Sequence, residues 1–130
     1  MNGFNPITMK HKENVCSLTS VSIGNETGWL QGQKAVAIGY NAGRQEQNNN
    51  AIAIGDMAGM LNQGQNSIAI GKDAGCKNQH KNSIVLNASG NPLQTIQSDS
   101  VYIKPIQEKK TKYGLFYDPA SGEVSYAKLE

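Results

Sequence analysis

The sequence contains no long apolar run. Nowhere do about 18 consecutive apolar residues occur, so it offers no membrane-spanning helix, and its start lacks the apolar stretch of a signal peptide. Charge is scarce as well. Charged residues make up 17% of the 130 residues, below the quarter or so usual in soluble domains. The net charge of +2 is too small to direct the chain to nucleic acid or a membrane surface. Aromatic residues reach only 6%, with two Phe and one Trp. The two cysteines, Cys16 and Cys76, stand far apart and are expected as free thiols rather than as a disulfide or a metal site. Mean hydropathy is nevertheless −0.50. The polarity is carried by Asn and Gln, which can bond to one another along stacked turns.

Catalytic patterns are missing too. No acidic position recurs, so paired carboxylates for general acid–base work are not built in. His11 and His80 lie in polar stretches without Cys or acidic partners at ligand spacing and read as solvated. Gly71-Lys72 is followed by Asp73 rather than Ser or Thr and lacks the upstream glycine of a phosphate loop. The sequence therefore predicts no enzyme, no cofactor and no bound metal. Asn25-Glu26-Thr27 and Asn87-Ala88-Ser89 are formal glycosylation sequons, but both asparagines have turn roles. Lys109, Lys110 and Lys112 read as a solvated hairpin tip.

What the chain does have is a repeat. Ala35-Val36-Ala37-Ile38-Gly39 returns as Ala51-Ile52-Ala53-Ile54-Gly55 and as Ser67-Ile68-Ala69-Ile70-Gly71, each 16 residues on. Ser83-Ile84-Val85-Leu86-Asn87 follows at the same interval without the glycine, and Ser20-Val21-Ser22-Ile23-Gly24 precedes by 15. Two glycine columns run through it: Gly24, Gly39, Gly55 and Gly71, then Gly28, Gly43, Gly59 and Gly75. Gln31, Gln47, Gln63 and Gln79 form a third column, and Asn50, Asn66 and Asn82 a fourth. Fixed-period self-similarity on this scale marks a solenoid. The alternating segments are strands, the glycines turn the chain, and successive strands stack in parallel at about 4.8 Å, so five copies span roughly 24 Å.

Both faces of these strands are apolar, unlike a sheet with one wet face. Val21, Ile23, Val36, Ile38, Ile52, Ile54, Ile68, Ile70, Ile84 and Leu86 share one side and are expected to form the core ladder inside the coil. Ala37, Ala53, Ala69 and Val85 lie on the other and are expected to meet another subunit. This pattern predicts an oligomer. The Gln column is expected as an inter-coil amide ladder, with ligand binding as its functional alternative.

The strings Asn66-Ser67-Ile68-Ala69-Ile70-Gly71 and Asn82-Ser83-Ile84-Val85-Leu86-Asn87 resemble the head repeats of trimeric autotransporter adhesins of the YadA-like type. The resemblance covers residues 20–90 and implies a left-handed parallel β-roll of about five coils of 15–16 residues, assembled as a homotrimer. Residues 1–19 are then a lead-in or cap, and 91–128 a C-terminal β-hairpin region capping the roll. Leu129-Glu130 reads as a cloning remnant. In the last region strands are expected over 101–106, 115–117 and 123–126, with Asp118-Pro119-Ala120-Ser121-Gly122 as the turn between the last two. That C-terminal order is similar to fibre and tail-fibre proteins of large DNA viruses and phages. The resemblance implies a non-enzymatic viral fibre or head domain on the virion surface or otherwise extracellular, binding a glycan or protein receptor. A bacterial adhesin head on the cell surface is the alternative within this class. An ice-binding solenoid is the alternative outside it, although the threonine ranks such a surface needs are not in register.

Overall fold

The computed structural model describes residues 19–130. Most of the lead-in, with Cys16 and His11, lies outside the described residues. Six short strands form one parallel sheet in chain order: β1 (Val21–Ile23), β2 (Val36–Ile38), β3 (Ile52–Ile54), β4 (Ile68–Ile70), β5 (Ile84–Asn87) and β6 (Val101–Lys104). Two more, β7 (Tyr113–Tyr117) and β8 (Val124–Lys128), pair antiparallel as a hairpin. The register follows the sequence columns without slip. Val36 stands opposite Ile52 and Ile38 opposite Ile54, and the next pair repeats this as Ile52 with Ile68 and Ile54 with Ile70. The chain is thus an all-β parallel solenoid of about five coils.

The corners explain the period. Gly39 sits at φ +128, and a Cβ there would lie 2.6 Å from the carbonyl oxygen of Gly55 one coil on. Only glycine both adopts that angle and lets the stacked backbones approach so closely. The other corners use left-handed side-chain-bearing residues. Asn41, Met57 and Asp73 stack at φ 55, 57 and 55; Asn50, Asn66 and Asn82 at 58, 55 and 54. Asn and Asp tolerate this region better than other residues, which is why the repeat is so rich in them.

The coil interior reverses the expected assignment of the two faces. Ala37, Ala53, Ala69 and Val85, expected at a subunit interface, are fully buried within the single chain and form its core with Ala42, Ala58, Ala74 and Leu93. The expected core ladder, Val21, Val36, Ile52, Ile68, Ile84 with Ile23, Ile38, Ile54, Ile70 and Leu86, points outward instead. The reason is width. A 16-residue coil with several tight corners brings its opposite sides so close that only a methyl group fits between them.

What space remains is taken by glutamine. Gln31, Gln47, Gln63 and Gln79 are all buried, at 3%, 1%, 0% and 2% exposure. Their amides reach across the coil to donate to strand carbonyls: Gln47 Nε2 to Val36 O at 2.8 Å, Gln63 to Ile52 O at 2.7 Å, and Gln79 to Ile68 O at 2.9 Å. One inter-coil bond joins Gln47 Nε2 to Gln63 Oε1 at 3.0 Å. The column pins each coil across its own width more than it ladders one coil to the next. A group so buried has no surface to offer a ligand, which removes that alternative.

The roll runs one strand further than residue 90. The segment expected in the hairpin region from Val101 joins the parallel sheet as β6, with Ile84 opposite Val101 and Leu86 opposite Ile103. Asp99-Ser100-Val101-Tyr102-Ile103 repeats the chemistry of Asn82-Ser83-Ile84-Val85-Leu86 at an interval of 17 instead of 16. Tyr102 takes the inward position and packs, half-buried, against the core. Its phenol accepts the Ile96 N–H at 3.0 Å. That bond, together with the hydrogen bond to Ser100 that acts most strongly on it, holds its pKa below the ordinary tyrosine value.

Candidate interaction face

Parallel sheets are ordinarily covered on both faces, because each strand is flanked by crossovers. Here one face is covered by the rest of each coil, and among the described residues the other is flanked only at its C-terminal end, by the hairpin. That outer face carries two continuous aliphatic columns. The first is Val21, Val36, Ile52, Ile68, Ile84 and Val101; the second is Ile23, Ile38, Ile54, Ile70, Leu86 and Ile103. Six rungs, with five spacings of about 4.8 Å between them, make the patch roughly 24 Å tall. The columns shield one another, so the middle rungs are partly covered, yet Ile70 stays 40% exposed and Val101 58%. A contiguous apolar surface of this kind marks an interaction site.

The other sides of the roll are polar. Asn50 Nδ2 donates to Asn66 Oδ1 at 3.2 Å, Asn66 to Asn82 at 3.3 Å, and Asn82 to Asp99 Oδ1 at 2.9 Å. Asn62 donates to Asn78 at 2.8 Å on a neighbouring corner. Each of these bonds ties neighbouring exposed side chains along the stack by one donor and one acceptor, which leaves the amides' second N–H and second lone pair to solvent. Arg44 pairs with Glu26 at 3.1 Å and lies over the Trp29 ring at 5.6 Å, while Lys72 and Asp56 approach within 3.9 Å. Both pairs are partly solvated and contribute little to stability.

The remaining sequence candidates have local duties. Asn87 is buried and donates to Lys72 O at 2.8 Å and Asn91 O at 2.7 Å. It replaces the glycine of earlier coils as a side-chain pin, and its amide is not presented for glycosylation. His80 is exposed, with its backbone N–H and its Nδ1 both on Thr95 Oγ1, at 2.9 and 2.7 Å. Cys76 is a buried free thiol whose Sγ accepts from Gln94 Nε2 at 2.9 Å. Among the described residues no three His, Cys, Asp or Glu side chains come together as a metal site, and no helix is long and apolar enough to cross a membrane.

Sequence reasoning found every residue of the central columns but assigned them to the wrong side. It missed the rungs of β6, Val101 and Ile103, whose Asp-Ser lead-in was the available signal. No protein-family model, curated protein or solved structure matches the chain, so the structure by itself supplies the conclusion: a parallel β-solenoid scaffold with one uncovered apolar face.

Proposed function

We propose that this chain is a structural, non-enzymatic segment of a homotrimeric fibre or head, carried on a virion surface and serving in host attachment. The observation that carries the reading is the outward pair of aliphatic columns. A parallel sheet with such a face needs a partner, and copies of the same chain offer an identical face. Rolls stacked side by side along one axis close as a cyclic assembly. The number three, the left-handed sense of the roll and the viral setting come from the likeness of the repeats and of the 118–126 segment to trimeric heads and fibres. The polar, amide-rich sides then face solvent, where a glycan or protein receptor would be met.

The test is the mass in solution by light scattering, for the natural chain and for Ile54→Lys. The natural chain should show about three times its 14.0 kDa. Ile54→Lys should stay folded, since its side chain leaves the coil interior untouched, and should fall to the single-chain mass because three buried charges cannot be paired. A natural chain that is monomeric at all concentrations removes the reading. Host-surface attachment is then tested by binding of the trimer, against the Ile54→Lys monomer, to glycan panels and cell surfaces.

A further inference from the structure

At the C-terminal end of the aliphatic face the surface deepens into a groove of about 640 Å³. Its roll side is Ile84, Val101 and Ile103, the last rungs of the two columns, and its other side is Leu115, Tyr117 and Val124 of the hairpin. The hairpin is poorly covered by its own chain. β7 and β8 pair with each other in a sheet of their own and with no strand of the roll. Their register sets Tyr113, Leu115, Tyr117, Val124 and Tyr126 on one side, and Leu115 and Tyr126 are 76% and 74% exposed. A two-stranded hairpin with so much bare apolar surface is marginal in water unless it packs on something else.

We propose that the groove of one copy receives the hairpin of a second copy, so that the hairpins clasp the assembly at its C-terminal end. This rests on the oligomeric reading above. Three features select a second copy as the occupant. The groove continues the aliphatic columns without a break, so a copy seated on those columns already borders it. The hairpin supplies the apolar side chains such a groove takes: Tyr113 and Tyr126, on the same side as Leu115, do not line their own chain's groove and are 52% and 74% exposed. Charge agrees: Asp99 lines the groove and Lys128 stands opposite Tyr113 on the apolar side of the hairpin. Neither is in an ion pair within the described residues. Each copy gives one hairpin and receives one, a head-to-tail contact that closes when the ring closes and leaves no groove empty.

The proposal is tested by disulfide trapping in a background with Cys16 and Cys76 replaced by Ser. One chain carries Val101→Cys, and a second, distinguishable by a longer affinity tag, carries Tyr126→Cys; the two are co-assembled and oxidised. The expected result is a bridged pair containing one chain of each length, with the oligomer mass unchanged. A control pairing Tyr126→Cys with Gln65→Cys, on the polar side, should give no such pair. An oligomer of full mass in which Val101→Cys and Tyr126→Cys do not bridge between chains overturns the clasp and leaves the oligomeric reading standing. So does a bridge that forms only when both cysteines are on one chain. A monomeric mass overturns both.

Discussion

The middle coils, from β2 to β4, and the C-terminal end, from β5 to β8, solve the same packing problem differently. In the middle, each coil repeats the one before it: alanine inside, glycine at the first corner, glutamine across the coil, aliphatics outside. At the end these elements are changed one after another. The interior column passes from Ala69 to Val85 to Tyr102, the corner glycine becomes Asn87, and the spacing lengthens by one residue. The close stacking of the corners does not relax where Asn87 replaces glycine; what changes is the interior column, which takes Val85 and then Tyr102 toward the end of the roll. A Cβ on Gly71 would collide with the Asn87 carbonyl oxygen, so the last glycine is still required by the coil that lacks one. Repetition therefore demands small residues, and ending the repeat is where large ones enter.

This contrast is broken most severely by enlarging the middle. Ala53→Leu places three extra carbons in a fully buried position between stacked coils and should cost about 3 kcal/mol or more, read as a fall in the denaturant midpoint. The same measurement on Val85→Leu, which adds one carbon at an equally buried position, should show a smaller loss for each carbon added. Were the losses per added carbon equal, the middle would be no narrower than the end.

A smaller loss is expected from Gln63→Ala. It removes the bond to Ile52 O and the acceptor used by Gln47 Nε2, leaving buried groups unpaired at a cost of about 1–3 kcal/mol. Receptor or surface binding by the folded variant should be unchanged, because Gln63 is wholly buried. Binding lost without loss of stability would return the glutamine column to a ligand role.

Tyr102→Phe tests the end alone. It deletes the hydroxyl that accepts the Ile96 N–H while keeping the ring against the core, and should cost about 1 kcal/mol. Amide exchange should rise at Ile96 and stay constant at the middle coils.

The mildest effect belongs to the hairpin turn. The Ala120 N–H, at 2.8 Å, and then the Ser121 hydroxyl, at 2.9 Å, hold the Asp118 carboxylate below its ordinary pKa. Folding thus favours the charged form. Its contribution is complete above the ordinary value of 3.8 and is lost as pH falls through the lower folded value. Acidification should loosen amide protection at Ala120 and Gly122 before it affects the roll. Asp118→Asn should remove that pH dependence.

Much of the fold was legible because the repeat is local. The strand positions, the pairing of Val36 with Ile52 with Ile68, the glycine corners and the turn at 118–122 all follow from spacing and residue type. The strand beginning at Val101 was expected too, but its place in the parallel sheet as β6 was not, since its interval is one residue longer and it follows a coil without the glycine. Its signal was Asp99-Ser100 standing where Asn82-Ser83 had stood. The glutamine column was visible, but its partners were not: a period shows that residues stack, while the carbonyls of Val36 and Ile52 come within reach only when the coil closes.

The sequence by itself determined the period, the register and the two chemically distinct faces of each strand, because these depend on neighbours along the chain and on identical residues one repeat away. Only the tertiary structure decided which face is inside. That choice depends on the distance between opposite sides of a closed coil, which the corners, the glycine stacking and the buried amides set together. The distance is short, so alanine goes in and isoleucine is left outside.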